Sequence, residues 1–304
     1  MVRGESVTVP ALALSEAREI LRLDSFGRPR CPQNHEIVRA ISAIVAIGAG
    51  EAVEEIVRNG FLADAEERYA AHVEPRMRVI SGHFAMGSDA GGLAYFQGES
   101  PPHGVALSPF AISAVPVTNG LYRLFGPGHA PSRGADDHPV TDVTWYDAVV
   151  CAAWFGCLLP TEAQWEFACG AGSPHQWCCD EPSLCNYAWY SENAAGAVHP
   201  VGTRAPNSLG LFDLHGQVWE WCRDDYDAAY YSRAPGQDPV NLAGPASLPA
   251  PQRHKVTRGG SFCSLAEMCR SRFRFHEPAG FWARDLGFRL VSTGLPSPGE
   301  GHPC

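Results

Sequence analysis

The sequence has no long apolar run. Its most apolar stretch, Ile37 to Ile47, is too short to span a bilayer and contains Arg39. Residues 1–20 carry no basic region followed by an apolar segment of signal-peptide length, so the chain reads as cytoplasmic, with no membrane partner. Positive charge is also scarce. Lys+Arg 23 against Asp+Glu 33 leaves a net charge of −10, which argues against nucleic acid as a main partner, because phosphate binding needs a basic face. There is no internal repeat. The 11 cysteines are odd in number and do not describe a fully paired disulfide framework; in a cytoplasmic chain they are expected to be reduced. Nor is there a second CxxC pair to complete a zinc site around His175, Cys178, Cys179 and Cys185. Adjacent cysteines do not easily both ligate one ion.

The 304 residues carry a hydrophobic fraction of 45% and a charged fraction of 18%, the proportions of a globular protein. Gly 31 and Pro 25 favour many turns over long helices, while 8 Trp, 9 Tyr and 14 Phe can still fill a core. Apolar residues recur at helical spacing in Ser15 to Leu23, Asn34 to Ile47, Glu51 to Asn59 and Phe61 to His72, with Asn59-Gly60 and Pro75 as stops. Residues 1–75 therefore read as a helical segment. From Arg76 the texture changes. Met77 to Ile80 reads as a strand, and short β-like runs then alternate with Gly, Pro, Asn and Asp clusters through a domain spanning 76–292. Helices are predicted over Trp145 to Phe155 and Thr161 to Cys169, the second opened by a Thr161/Gln164 capping box. Asp224, Asp225 and Tyr226 read as surface turn residues, and His215 and His199 as hydrogen-bonded rather than metal-bound. The Pro- and Gly-rich tail 293–304 is expected to be flexible.

The motif richest in chemistry lies between Arg258 and Arg274. Cys263 and Cys269 follow a Gly-Gly-Ser turn and precede Arg270, Arg272 and Arg274. Thiolates are soft donors for Cu(I) or zinc, and nearby arginines favour the thiolate. The same spacing also suits two small apolar residues packed beside a strand.

The order of landmarks resembles the formylglycine-generating enzyme (sulfatase-modifying factor) family. The matching pieces are Gly82 to Ser88, Pro116-Val117-Thr118-Asn119, His138-Pro139-Val140, Val143 to Ala148 and Leu159 to Ala168. The strongest is Pro206 to Trp221, and Gly259-Gly260-Ser261 and Gly287-Phe288-Arg289 close the pattern. The resemblance implies an α+β, elaborated C-type-lectin-like fold with little regular secondary structure. It implies an oxygen-dependent oxidase acting on a cysteine-containing peptide or on a small or carrier-bound substrate. It places calcium ligands at Asp213, Gly216, Val218 and Glu220, two carboxylates and two backbone carbonyls on a turn, with Asn193 as a candidate for a second site. The alternative for Asp213 and Glu220 is a turn cap and a buried ion pair. Copper is implied at Cys263 and Cys269. Here Cys269 falls on the family's second cysteine, whereas the first falls on Ser264 and Cys263 stands one residue early. Ser261 and Trp219 match cleft positions, or else steady the Gly-Gly turn and fill the core. Arg272, Arg274 and Trp282 are candidates for holding substrate. A second expectation, from another class, is a lectin-like binding module without redox chemistry.

Overall fold

The computed structural model describes residues 65–88, 98–126, 134–245 and 253–292. The three helices expected before Asn59 and the tail 293–304 lie outside the described residues. The helix expected from Phe61 is seen from Ala65, as α1 (Ala65–Arg68) continued by a wide turn over Tyr69–Val73 and a tight one over Glu74–Arg76. The Arg68 guanidinium lies 4.4 Å above the Trp154 ring and donates to the Trp154 carbonyl at 2.7 Å, which ties this segment to the domain.

Chain reversals dominate, as the glycine and proline content requires, and among the described residues two small sheets organise them. In one, β1 (Met77–Met86) pairs antiparallel with β2 (His103–Ser113), and β7 (Val291–Ser292) closes the other edge of β2. The register slips between Ile80 and Gly82, a bulge that lets the strand run on past its predicted end at Ile80. In the other, β5 (Arg274–Pro278), β4 (His254–Arg258) and β3 (Trp219–Asp225) are antiparallel, and β6 (Leu286–Gly287) runs parallel to β3.

The helices start where the sequence supplies caps. The Thr118 hydroxyl accepts from Leu121 N at the start of α2 (Asn119–Phe125). Thr144 and Asp147 form a capping box on α3 (Trp145–Trp154), and Thr161 and Gln164 form the predicted one on α4 (Glu162–Gly170). Among the described residues the last α-helix, α5 (Leu184–Tyr187), precedes the Pro206 to Trp221 motif.

The core around α2, α3 and β6 is aromatic and aliphatic, with Trp145, Phe155, Trp221 and Phe288 enclosed. Alongside it runs an ionic interior. Arg274 grips Glu162 through Nε and Nη2 at 2.6 and 2.7 Å, Arg270 grips Glu99 at 3.1 and 2.9 Å, and Arg258 pairs with Glu166. Ions this deep must be paired, and each pair joins segments far apart in sequence. Asp224 and Asp225 are not surface turn residues. They end β3 in the interior, because Asp224 accepts the Glu162 and Asn241 amides and Asp225 pairs at 2.6 Å with Lys255, the only lysine of the sequence.

Candidate functional site

The turn after β4 begins with Gly259 and Gly260 at φ +102 and +72. A Cβ on Gly260 would lie 2.6 Å from Cys269 Sγ, so only glycine lets the turn lie against that thiol. Ser261 follows, buried. Its Oγ donates to Asp285 Oδ2 at 2.7 Å and accepts from the Cys263 amide at 3.2 Å, while its amide donates to Ser264 Oγ at 2.9 Å. Asp285 also holds Trp219, whose amide donates to the Asp285 carbonyl at 2.8 Å. Ser261, Trp219 and Cys263 are thus gathered around one acidic residue that the sequence reading did not single out. Trp219 is half-buried and packs 5.9 Å from the Phe273 ring and 5.6 Å from the Phe275 ring. Glu277, on the same strand as Phe275, has its carboxyl pushed up by burial and then by the charge of Asp285. Trp282, 61% exposed, stands on the segment between β5 and β6.

The two thiols occupy opposite environments. Cys263 is exposed, and Arg284 Nη2 stands 3.5 Å from its Sγ, placing positive charge against the sulfur. Cys269 is 0% exposed and packs with Trp177, Cys179, Leu184 and Tyr190. Burial pushes its thiol well above the ordinary range, with Glu267 adding to the effect. The Ser264 position, where the family resemblance implies a sulfur, carries a buried hydroxyl bonded within the turn. One sulfur in water beside a guanidinium and one sealed in an apolar cluster do not make the two-sulfur copper site the resemblance implies. The reason is the extra residue, which leaves Cys263 on the outside of the turn.

The acidic turn is built differently. Asp213 (φ +59) is 3% exposed, and its Oδ2 accepts the Gly202 amide at 2.7 Å. Its Oδ1 is buried with no hydrogen-bond partner among the described residues. Burial raises this carboxyl to about 6, although the Gly202 amide and Arg289 favour its charge. Gly216 (φ +81) passes so close to Trp189 that a Cβ would fall 2.1 Å from the Trp189 carbonyl oxygen. Glu220 is committed elsewhere. Its Oε2 accepts from Arg289 Nε at 2.6 Å and Trp165 Nε1 at 2.8 Å, and its Oε1 from Arg289 Nη2 at 2.8 Å, so it is chiefly the anion of a buried fork. One orphaned, buried carboxylate oxygen nevertheless fits a hard cation, with the Gly216 and Val218 carbonyls nearby in sequence as the other donors. Asn193 carries no second site, because its Oδ1 accepts the Tyr190 amide and its Nδ2 donates to the Ala188 carbonyl. Among the described residues, no group of three or more His, Cys, Asp or Glu is arranged to hold a metal. That includes His175, Cys178, Cys179 and Cys185.

His215 behaves as expected of a hydrogen-bonded histidine. The Cys178 amide donates to Nε2 at 3.0 Å, Nδ1 donates to the Cys269 carbonyl at 2.8 Å, and burial lowers the ring to about 4, which keeps it neutral. The arginines expected to bind substrate divide. Arg274 is not available, since it is 3% exposed and engaged by Glu162 and the Gly98 carbonyl. Arg272 is half-buried on the wall of a separate pocket. Arg284 and Asp285 were the residues missed. Their only sequence signal is position, just before Gly287-Phe288-Arg289.

Residues 62–293 match the family described as the sulfatase-modifying factor enzyme 1-like domain. The chain is 33% identical to the formylglycine-generating enzyme of Streptomyces coelicolor, over 71% of this chain and 88% of that one. It is 28% identical to the inactive C-alpha-formylglycine-generating enzyme 2 of Bos taurus, over 74% and 90%. Among solved structures, Treponema denticola variable protein 1 superimposes with a TM-score of 0.58 at 26% identity, covering 71% of this chain and 94% of that one. The fold is the elaborated α+β one the landmarks implied, and the chain belongs to the sulfatase-modifying factor (formylglycine-generating enzyme) family.

Proposed function

We propose that this chain is an oxidase of its family that uses O₂ to oxidise a cysteine-containing peptide or a small or carrier-bound substrate, at the surface where Cys263 is exposed. The observation that carries the proposal is the convergence of Cys263, Arg284, Ser261, Asp285 and Trp219 on one turn. Arg284 holds positive charge against the Cys263 sulfur. Asp285 fixes the Ser261 hydroxyl, and the Trp219 and Phe275 rings form an apolar wall against which a substrate side chain can lie. Since Cys269 is sealed away, no step is assigned to copper. A structural calcium at Asp213, Gly216 and Val218, with Glu220 as a neighbouring anion, belongs to the same proposal and would fix the turn that leads into β3.

A second reading has its own support. The buried Cys269, the hydroxyl at Ser264 and the 28% identity to a relative named as inactive favour a binding module that uses the exposed Trp282, Phe281 and Phe275. Oxygen uptake with a cysteine peptide separates the two. Under the oxidase reading the wild type consumes O₂, Cys263→Ser lowers the rate by about 100-fold or more, on the scale of losing a reacting group, and Cys269→Ser keeps most of it. No uptake by the wild type with any thiol substrate leaves the binding module. Uptake untouched by Cys263→Ser removes Cys263 from the chemistry.

A further inference from the structure

The arginines of this interior come with anions. Arg258, Arg270, Arg274 and Arg289 are each buried against a glutamate. Arg272, between two of them in sequence, is the exception: it makes no ion pair or hydrogen bond with the described residues. It lies on the wall of a cavity of about 280 Å³, near the lower end of the size range of small-ligand sites. His83 from β1 and His175 from the loop after α4 line the same cavity and add imidazole N–H donors. Ser271, 4% exposed, also lines it, with its hydroxyl beside the Cys169 thiol. The one acid on the wall, Glu166, is already taken up by the Gly87 amide and Arg258. One side of the cavity is apolar, formed by the Phe84 and Phe167 rings 5.5 Å apart. None of Cys263, Arg284, Ser261, Asp285 and Trp219 lines this cavity.

A half-buried guanidinium with no partner among the described residues, imidazole groups beside it and no free anion among the described lining residues is a receptor for an oxyanion. The planar fork of arginine matches carboxylate and phosphate oxygens two at a time. The ring pair beside it gives an apolar body a place to lie. We propose that Arg272, with His83, His175 and Ser271, forms a second site that binds the carboxylate or phosphate group of a small organic molecule, whose apolar part packs on Phe84 and Phe167. The site stands apart from the oxidase reading, and it survives if Cys263 proves inert.

Calorimetric titration of the full chain with benzoate, phenyl phosphate and inorganic phosphate tests this and tells the two head groups apart. The expected result is binding of benzoate or phenyl phosphate with a Kd below about 1 mM, weakened about tenfold or more by Arg272→Gln and less by Arg272→Lys, which keeps the charge but loses the fork. Arg272→Gln should melt within a few degrees of the wild type, because no ion pair with a described residue is lost, so loss of binding is not loss of fold. Cys263→Ser should bind like the wild type. The proposal is overturned if neither organic anion binds, or if Arg272→Gln binds them unchanged. Inorganic phosphate binding as tightly as phenyl phosphate overturns the part assigned to Phe84 and Phe167.

Discussion

Asp213 shows how much one carboxylate can carry. With one oxygen bonded to an amide and the other orphaned in the interior, it is a charge waiting for a partner. Its folded value of about 6 lies above the ordinary 3.8, so without a cation the folded protein holds this proton more tightly than the unfolded chain does. The folded state is then penalised as pH rises from about 4 to 6, by roughly 3 kcal/mol once both states are ionised. Calcium should cancel the penalty. Urea unfolding at pH 7 should therefore show a midpoint that rises with millimolar calcium and falls in chelator, and Asp213→Asn should remove the dependence. A wild type indifferent to calcium at pH 7 would end the assignment. Glu220 teaches the opposite lesson. Family resemblance made it a ligand, yet its oxygens face Arg289 and Trp165, and no spacing rule foretells a partner 69 residues away.

At the scale of elements, legibility followed locality. The Thr161/Gln164 box was readable because both members lie within four residues, and it forms as expected, with Thr161 Oγ1 accepting the Gln164 amide at 3.2 Å. Thr161→Ala should cost about 1 kcal/mol in urea unfolding, most of it restored by Ser at the same position. The start of α4 also leans on Asp224, which accepts the Glu162 amide from the end of β3. That contact was invisible in the sequence, where two aspartates before a tyrosine look like a solvated turn. The same limit applies at the thiols. Register against the family pointed to Cys269 as the better-placed sulfur, yet its exposure depends on Trp177, Leu184 and Tyr190 folding over it. The accessible thiol is Cys263, whose partner Arg284 is 21 residues on.

Across the whole molecule the buried acids pull in two directions, and their balance sets where the protein is most stable. Burial works against the charge of Glu162, but Arg274 and Arg258 outweigh it and hold its carboxyl below the ordinary 4.5. That contribution is complete above about 4.5 and is lost as pH falls through the lower folded value. Asp213 and Asp224 are raised by burial to about 6 and about 7, and weigh against the folded state as pH climbs from about 4 through those values. The same folded protein is therefore weakened by acid through its paired glutamate and by neutral pH through its poorly paired aspartates. In chelator, the urea midpoint should pass through a maximum between about pH 4 and 6 and decline on both sides. Calcium should raise only the neutral limb, since it needs the ionised Asp213, and Asp213→Asn should make that limb shallower, leaving the part set by Asp224, without moving the acid one. Removing Arg274 acts on the opposite side: Arg274→Met leaves Glu162 buried with one cation fewer and should cost several kcal/mol at pH 7, about 3–5 by the usual penalty for breaking a buried pair. The loss should shrink as pH falls, because without Arg274 the buried Glu162 can take up a proton instead. A midpoint that rises steadily from pH 4 to 8 in chelator would show that the aspartates are already satisfied, and would remove the physical reason for a cation at Asp213.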